Sequence, residues 1–155
     1  MSQAHFDISI INENDYFLNI DIQEIINTLV KIEDIHGLFE LVISFVDDMN
    51  ISKLYQEYFG YAKFTDVLSF YSGATNPESG RILLGDIVIA YPFAKLQALN
   101  LKNDLMSEIS LLIIHGFLHL IGYDHSELNE KKTMWQKQES ILKALSIQIN
   151  NYPES

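Results

Sequence analysis

Cysteine is absent from the 155-residue chain, which excludes disulfide bonds and any thiolate metal site. A metal ion would therefore have to be held by nitrogen or oxygen ligands. Basic residues are also scarce, because 10 lysines and arginines stand against 21 aspartates and glutamates, for a formal net charge of -11. This balance argues against a broad nucleic-acid-binding surface, which is normally basic, although a local groove with a divalent cation could still attract phosphate.

Long apolar runs are missing as well, and we expect the first residues not to be a secretory signal. No stretch reaches the roughly 18 uninterrupted apolar residues that a membrane span needs, and the first residues carry neither a basic nor an apolar segment. Apolar residues still make up 48% of the chain, enough for an ordinary core in one compact domain over residues 1–155. We therefore expect a single cytoplasmic domain with no membrane or disulfide partner, and its oligomeric state stays open.

Proline and glycine are sparse, with 3 and 7 residues, and between them strand and helix patterns alternate. Alternating or β-branched apolar runs predict strands over 6–11, 39–46, 67–70 and 82–90. Helical spacing and capping residues predict helices over 21–33, 51–58, 92–99, 103–120 and 129–145. Interleaved strands and helices favour an α/β or α+β class with one mixed sheet.

The most informative segment ends the fourth predicted helix and contains His115, His119 and His125. His115 and His119 are four residues apart, so on a helix they lie about 40° apart in projection and roughly 6 Å apart along the axis. Two imidazoles at that separation can reach one ion at about 2.0–2.1 Å each. The spacing therefore predicts a pair of ligands for a single zinc ion.

His125 can join that pair only if the helix stops. A continuing helix would carry His125 about 9 Å beyond His119 and about 120° around the cylinder, out of reach of the same ion. Gly122 stands three residues after His119, where a left-handed glycine can end a helix and turn the chain back. We expect all three histidines to hold one zinc ion per chain.

Three neutral imidazoles would leave one position of a tetrahedral zinc site open. Catalytic sites keep water there, whereas structural sites close with a fourth protein ligand. Such a water can have its pKa lowered to about 7, and the ion can stabilise charge on a scissile phosphate or carbonyl, so we interpret the segment as a hydrolase centre. A closed structural site with Asp124 or Glu127 as the fourth ligand is the alternative.

The spacing His-x-x-x-His-x-x-Gly-x-x-His is also that of the metzincin metalloproteases. In those enzymes a glutamate follows the first histidine and serves as the general base. Here that position is Gly116. A metalloprotease without its usual base is therefore the weaker alternative.

The segment 115–125, His-Gly-Phe-Leu-His-Leu-Ile-Gly-Tyr-Asp-His, resembles the signature of the YbeY family, bacterial endoribonucleases of ribosomal RNA maturation. The block 65–70, Thr-Asp-Val-Leu-Ser-Phe, and the strand 84–89, Leu-Gly-Asp-Ile-Val-Ile, resemble two further family segments in the family's order. The resemblance implies an α+β fold with a small mixed sheet of four strands, mostly parallel with an antiparallel edge strand. About five helices would flank the sheet, one of them a zincin-like histidine helix.

The same resemblance implies a function. The chain would be a zinc-dependent endoribonuclease that prefers single strands, with His115, His119 and His125 as its ligands. It would process the 3′ end of small-subunit ribosomal RNA and act in ribosome quality control, so its partners would be ribosomal RNA precursors and the small ribosomal subunit. A non-catalytic ribosome assembly factor with a structural zinc is the remaining alternative.

Two positions depart from the family pattern. Many members carry an asparagine and, four residues later, an arginine ahead of the Thr-Asp block, but Tyr55 and Phe59 stand there in this chain. A guanidinium can clamp a phosphate with two hydrogen bonds, and a phenyl ring cannot. Lys63 is the nearest cation in sequence and Arg81 the only arginine, and each could substitute or be an ordinary solvated charge.

Four side chains are candidates for supporting roles. Asp124, the only carboxylate inside the histidine block, could orient a ligand imidazole or a water molecule, or could hold the turn. Thr65 and Ser69 could offer hydroxyls to the sugar-phosphate chain in a substrate groove, or could serve the strand alone. Asp86 is a charge within an apolar strand and needs a partner, which could be a ligand that it supports by a hydrogen bond.

Three more residues lie near the histidines in sequence. Glu108 is on the same predicted helix and could border the groove or face solvent. Tyr123 and Phe117 could stack RNA bases. Aromatic residues beside an apolar helix are more often part of the core.

Overall fold

The computed structural model describes residues 2–153. Its strands are β1 His5–Ile11, β2 Leu38–Val46, β3 Val67–Tyr71 and β4 Ile82–Ala90. Its helices are α1 Ile22–Ile32, α2 Asp48–Phe59, α3 Tyr91–Leu101, α4 Leu105–Leu120 and α5 Leu128–Ala144. All the predicted strands and helices are present, and the α+β prediction is confirmed.

The four strands form one mixed sheet in the order β1-β2-β4-β3. β1, β2 and β4 run parallel, and β3 pairs antiparallel with β4 at the edge. The central strands β2 and β4 read as nearly continuous apolar runs because helices cover both of their faces. The mostly parallel sheet with an antiparallel edge strand is thereby confirmed.

The histidine helix α4 is the most deeply buried helix among residues 2–153 and packs on one face of the sheet. Nearly every residue of its middle, including Ile113 and Phe117, is fully buried, as expected of a helix that is apolar all round. On the other face of the sheet, Ile51 of α2 packs against Val88 of β4. Of the helices described, none combines the length and apolarity needed to cross a bilayer.

The end of α4 depends on Gly122. This residue has φ 111°, in the region that side-chain-bearing residues rarely adopt. Its N–H donates to the His119 carbonyl at 3.1 Å, and the Tyr123 N–H donates to the Leu118 carbonyl at 3.0 Å. These bonds satisfy carbonyls that the helix end leaves free, and the chain turns toward α5 as the sequence predicts.

Candidate metal centre

Three imidazole rings meet beside the C-terminal end of α4. The Nε2 atoms of His115 and His119 are 3.1 Å apart. The ring of His125, in the loop before α5, lies with its centroid 5.6 Å from that of His115 and 4.9 Å from that of His119. One ring nitrogen from each histidine lies within 4.8 Å of the others. The structure therefore brings the three predicted ligands together.

Hydrogen bonds to the outer nitrogens of two rings set which nitrogen faces the centre. His119 Nδ1 lies 2.9 Å from the backbone carbonyl of Tyr123, which can only accept, so Nδ1 carries the proton. His115 Nδ1 lies 2.6 Å from Gln138 Oε1, likewise an acceptor. In both neutral rings Nε2 then bears a lone pair directed at the centre.

Those two Nε2 atoms cannot hydrogen-bond to each other, because neither has a proton to donate. Their 3.1 Å separation is close to the roughly 3.3 Å expected between two ligands bound at about 2.0–2.1 Å to a tetrahedral zinc ion. A cation between them would satisfy both lone pairs. The three imidazoles therefore fit a zinc ion in chemistry and in spacing.

Partial burial keeps the rings of His115 and His119 in the neutral form that binds metal. Burial lowers the pKa of His115 from its ordinary value of 6.5. Burial, helped by the neighbouring rings of His115 and His125, lowers the pKa of His119 to about 4. Both imidazoles are thus neutral near pH 7, and only a neutral imidazole has a lone pair for a metal ion.

Asp124 is committed to the turn that carries the third histidine. Its Oδ1 accepts the His125 N–H at 2.7 Å and its Oδ2 accepts the Ser126 hydroxyl at 3.2 Å. The bond from the His125 N–H is the main reason why the pKa of Asp124 lies below its ordinary value. Within residues 2–153, the group of possible ligands at this centre holds only the three histidines, without Asp124 or Glu127. Asp124 therefore places the His125 backbone, and its action on substrate stays a prediction.

Gly116 occupies the position where a metzincin carries its glutamate, and close packing explains why it is glycine. A Cβ built there would lie 2.8 Å from Ile87 Cγ2 and 3.1 Å from Ser69 Oγ. The first distance is shorter than real Cβ contacts, so any side chain at this position would push α4 away from the sheet. The metzincin base has no room here, which weakens the protease alternative.

The histidines line a cleft of about 720 Å³ that also contains Thr65 and Ser69. Ser69 Oγ donates to the Gly116 carbonyl at 3.1 Å and so fastens β3 to α4. The Thr65 hydroxyl lies 3.5 Å from Asp66 Oδ1. Both hydroxyls already have partners in the protein, and their predicted contact with a substrate stays a prediction.

Asp86 does not reach the histidines. Its neighbour Ile87 faces α4, where it meets Gly116, and Val88 faces α2. Successive residues of a strand point to opposite faces, so Asp86 shares the face of Val88, away from α4. Partial burial there raises the pKa of Asp86. Asp86 therefore does not form the predicted hydrogen bond to a ligand histidine.

Glu108 neither borders the groove nor faces solvent, because it is fully buried at 0% exposure. Its carboxylate accepts from Gln97 Nε2 at 3.0 Å and from Asn103 Nδ2 at 2.9 Å. Gln97 also donates to Asp66 Oδ2 at 3.1 Å, and Asp66 lines the cleft. Glu108 thus belongs to a polar network behind the cleft, which no sequence spacing indicated.

The two aromatic candidates of the histidine segment serve the fold. Phe117 is buried in the core. The Tyr123 hydroxyl donates to Glu33 Oε2 at 2.9 Å, and burial together with this carboxylate raises the pKa of Tyr123 to about 12. Because this bond anchors the loop, the Tyr123 carbonyl stays in place to hold His119.

The two candidate cations have different positions. Arg81 bonds to the ring nitrogen of His5 at 3.1 Å and to the Phe39 carbonyl at 3.3 Å, outside the residues that line the cleft. Lys63 lines the cleft, with its Nζ 5.6 Å from the centroid of the Tyr55 ring. Lys63 is therefore the candidate that the structure places near the histidines.

The cleft-lining residues that sequence reasoning missed include Trp135, Gln138 and Tyr152. Gln138 is 23 positions from the histidine that it contacts, and Trp135 is one helical turn before it. The sequence predicted a helix over 129–145 but not which helix it packs on. Only the approach of α5 to α4 shows their role.

Comparisons with known proteins agree with this geometry. The family model described as Endoribonuclease YbeY matches residues 8–146. Endoribonuclease YbeY of Halalkalibacterium halodurans is 38% identical over 135 residues, covering 81% of this chain and 85% of that protein. Its counterpart in Mycoplasma mycoides subsp. mycoides SC is 37% identical over 144 residues, covering 88% and 87%. A solution structure of a Thermotoga maritima protein matches with a TM-score of 0.55 and 27% identity, over 88% of this chain and 87% of that one.

Proposed function

The chain belongs to the YbeY family of endoribonucleases, and from that premise we propose that it cleaves single-stranded RNA at a zinc ion held by His115, His119 and His125. The observation that carries the proposal is the pair of Nε2 lone pairs that face each other at 3.1 Å within an open cleft. Two hydrogen-bond acceptors held at that distance repel each other unless a proton or a metal cation lies between them, and the metal cation also engages the third ring. The family membership supports RNA as the substrate.

We further propose that the natural substrate is the 3′ end of precursor small-subunit ribosomal RNA. The small ribosomal subunit would then be the partner, maturation and quality control of ribosomes the process, and the cytoplasm the location. This finer assignment is supported by the resemblance of the histidine, Thr-Asp and Gly-Asp segments to the family's own segments.

The chain's own residues prepare the centre for this chemistry. Gln138 and the Tyr123 carbonyl hold the protons of His115 and His119 on Nδ1, so that both Nε2 lone pairs point inward. Asp124 fixes the backbone of the third histidine. Bound zinc would supply a Lewis acid that stabilises negative charge on a phosphate oxygen and lowers the pKa of water.

Cleavage assays with the purified chain test the proposal. Elemental mass spectrometry should find zinc in stoichiometric amount, and the zinc-loaded protein should cut single-stranded RNA but leave casein intact. A chelator should abolish cleavage, and added zinc should restore it. Cleaved casein with intact RNA would establish the protease alternative instead.

A histidine substitution separates a catalyst from an assembly factor with a structural metal. His115→Ala should abolish RNA cleavage while thermal unfolding stays cooperative, because the core around α4 is apolar and needs no metal. His36→Ala, a change at a histidine outside the cleft that bonds Asp34, is the matched control and should cleave normally. A zinc-loaded wild type that never cuts RNA, with a His115→Ala variant that unfolds, would favour the assembly factor.

An RNA with the 3′ end of the small-subunit precursor should be cut faster than an unrelated RNA of equal length.

A further inference from the structure

The cleft around the histidines has very little positive charge for an RNA-binding site. Among its lining residues within 2–153, Lys63 is the only lysine or arginine, whereas Asp66 and Asp124 are both acidic. Apart from the three histidines, the side chains that line the cleft contribute one positive and two negative charges. One lysine, together with the zinc ion proposed at the histidines, offers few contacts to phosphate, so another interaction has to supply much of the affinity for an RNA strand.

An aromatic pair lines the cleft at the end of α2, with the Tyr55 ring half-buried and the Phe59 ring exposed. Tyr55 and Phe59 are one helical turn apart, with ring centroids separated by 4.5 Å. Phe59 is 55% exposed although its ring borders the cleft. Gly60 follows in the left-handed conformation with φ 84°, ends the helix and leaves the Phe59 ring uncovered. Lys63 lies over the Tyr55 ring, so the pair also has a cation beside it.

A second aromatic pair lines the same cleft from α5 and the segment that follows it. Trp135 and Tyr152 lie with ring centroids 6.1 Å apart and an interplanar angle of 22°. Lys131 lies 5.3 Å from the centroid of the Trp135 ring, and Trp135 is 41% exposed. The same helix supplies Gln138, the partner of a ligand histidine, so the position of this pair is tied to the centre.

Asparagine side chains hold the segment that carries Tyr152. Asn103 accepts the Asn150 N–H at 2.8 Å and donates to the Asn151 carbonyl at 2.7 Å. Asn151 in turn donates to the Leu101 carbonyl at 2.7 Å. A ring held in place in this way loses little conformational entropy when a ligand covers it.

From these contacts we propose that Phe59 with Tyr55, and Trp135 with Tyr152, are stacking sites for unpaired bases of the RNA that the centre cleaves. This deepens the proposed function and rests on it. Stacking on these rings supplies affinity that the single lysine lining the cleft cannot. Each exposed ring gains a flat apolar partner, and a lysine beside each pair faces the negative strand. Bases inside a duplex already stack on their neighbours and cannot stack on protein rings, so these sites bind unpaired RNA.

Binding of a labelled single-stranded oligoribonucleotide to the full chain, measured by fluorescence anisotropy in the presence of chelator, tests the proposal without cleavage. Phe59→Ala should raise the dissociation constant about tenfold, within the range for stacking of one base on an aromatic ring. Phe59→Tyr should bind like the wild type. Phe17→Ala is the matched control, because Phe17 is 70% exposed and lies outside the cleft lining, and it should change nothing.

Salt dependence separates stacking from phosphate contacts. For the wild type, log K against log salt should have a shallow slope of about −0.7 per phosphate held by a lysine, and Phe59→Ala should keep that slope while lowering the affinity. Phe59→Arg should make the slope steeper. If Phe59→Ala flattens the slope instead, the residue acts through the phosphate chain, and stacking is refuted.

An abasic nucleotide moved along the oligoribonucleotide identifies the stacked base. At one position the abasic nucleotide should weaken binding to the wild type but not to Phe59→Ala. The missing base and the missing ring are partners in one contact, so removing the second costs nothing more. If Phe59→Ala and Trp135→Ala both leave the dissociation constant and the KM of cleavage unchanged, another occupant such as a protein covers these rings, and the inference is overturned while the nuclease stands. If the wild type binds RNA through these rings but never cuts it, the proposed function fails and the stacking sites stand.

Discussion

Gln138→Leu is the most direct perturbation of the argument about the metal centre. The Gln138 side chain is buried, and its Oε1 lies 2.6 Å from Nδ1 of His115. Leucine has a similar volume but no acceptor. The ring would lose the partner that keeps its proton on Nδ1, and its buried N–H would be left unsatisfied.

The expected effect on zinc binding can be worked out from this contact. Removal of a hydrogen-bond partner of a ligand histidine typically lowers metal affinity about 10- to 100-fold, or about 1.4–2.7 kcal/mol. At a free zinc concentration of about 100 times the wild-type dissociation constant, zinc adds about 2.7 kcal/mol to the free energy of unfolding. In Gln138→Leu the same zinc concentration should add only about 0.4–1.4 kcal/mol.

Urea unfolding with and without zinc measures this difference, and competition with a chromogenic chelator measures the affinity directly. Gln136→Leu, on the exposed side of the same helix, is the control and should retain the full zinc stabilisation. Gln138→Glu keeps an acceptor and should retain most of the affinity. Equal zinc affinity in Gln138→Leu and the wild type would refute the assignment of the His115 proton to Nδ1.

Three further predictions concern the scaffold of the cleft. Gly116→Ala should lower the free energy of unfolding by about 1–3 kcal/mol despite the better helix propensity of alanine, since its Cβ would lie 2.8 Å from Ile87 Cγ2; a urea midpoint above that of the wild type would contradict this packing. Tyr123→Phe should lower the free energy of unfolding by about 1–3 kcal/mol in the same assay, because Glu33, whose side chain is only 10% exposed, loses its hydroxyl donor, and an unchanged midpoint would show that the bond contributes nothing. Burial raises the pKa of Glu108 from 4.5, so the folded state holds that proton to higher pH than the unfolded state does. The stability of the wild type relative to Glu108→Gln should therefore fall as pH rises from 4.5 to the folded pKa and then level off, whereas a difference that is constant with pH would oppose the assignment.

Residues that are close in sequence were predicted well because local backbone geometry relates them. The four-residue spacing of His115 and His119 defines their relation on any helix, and a glycine at position 122 is a local stop signal. The structure has both features, and the third histidine lies near the first two. The strand and helix patterns were equally local, so they also matched.

Residues whose role depends on a neighbouring element were predicted poorly. Asp86 was singled out as a charge in an apolar strand and Glu108 as a carboxylate on the histidine helix, but the sequence did not show which element each one faces. A single residue step along β4 puts Asp86 on the face away from the histidines. The approach of α3 and α4 encloses Glu108 between the amides of Gln97 and Asn103.

The sequence by itself predicted the strands and helices, the fold class, and a site formed by three histidines with a turn between them. Each of these follows from patterns that span about a dozen residues. Only the tertiary structure decided that Gln138 holds the first histidine, that β3 is fastened to α4 at a glycine, and that Tyr55 and Trp135 line one cleft. These contacts join residues separated by more than 20 positions, and their geometry follows from how helices pack on the sheet rather than from any local pattern.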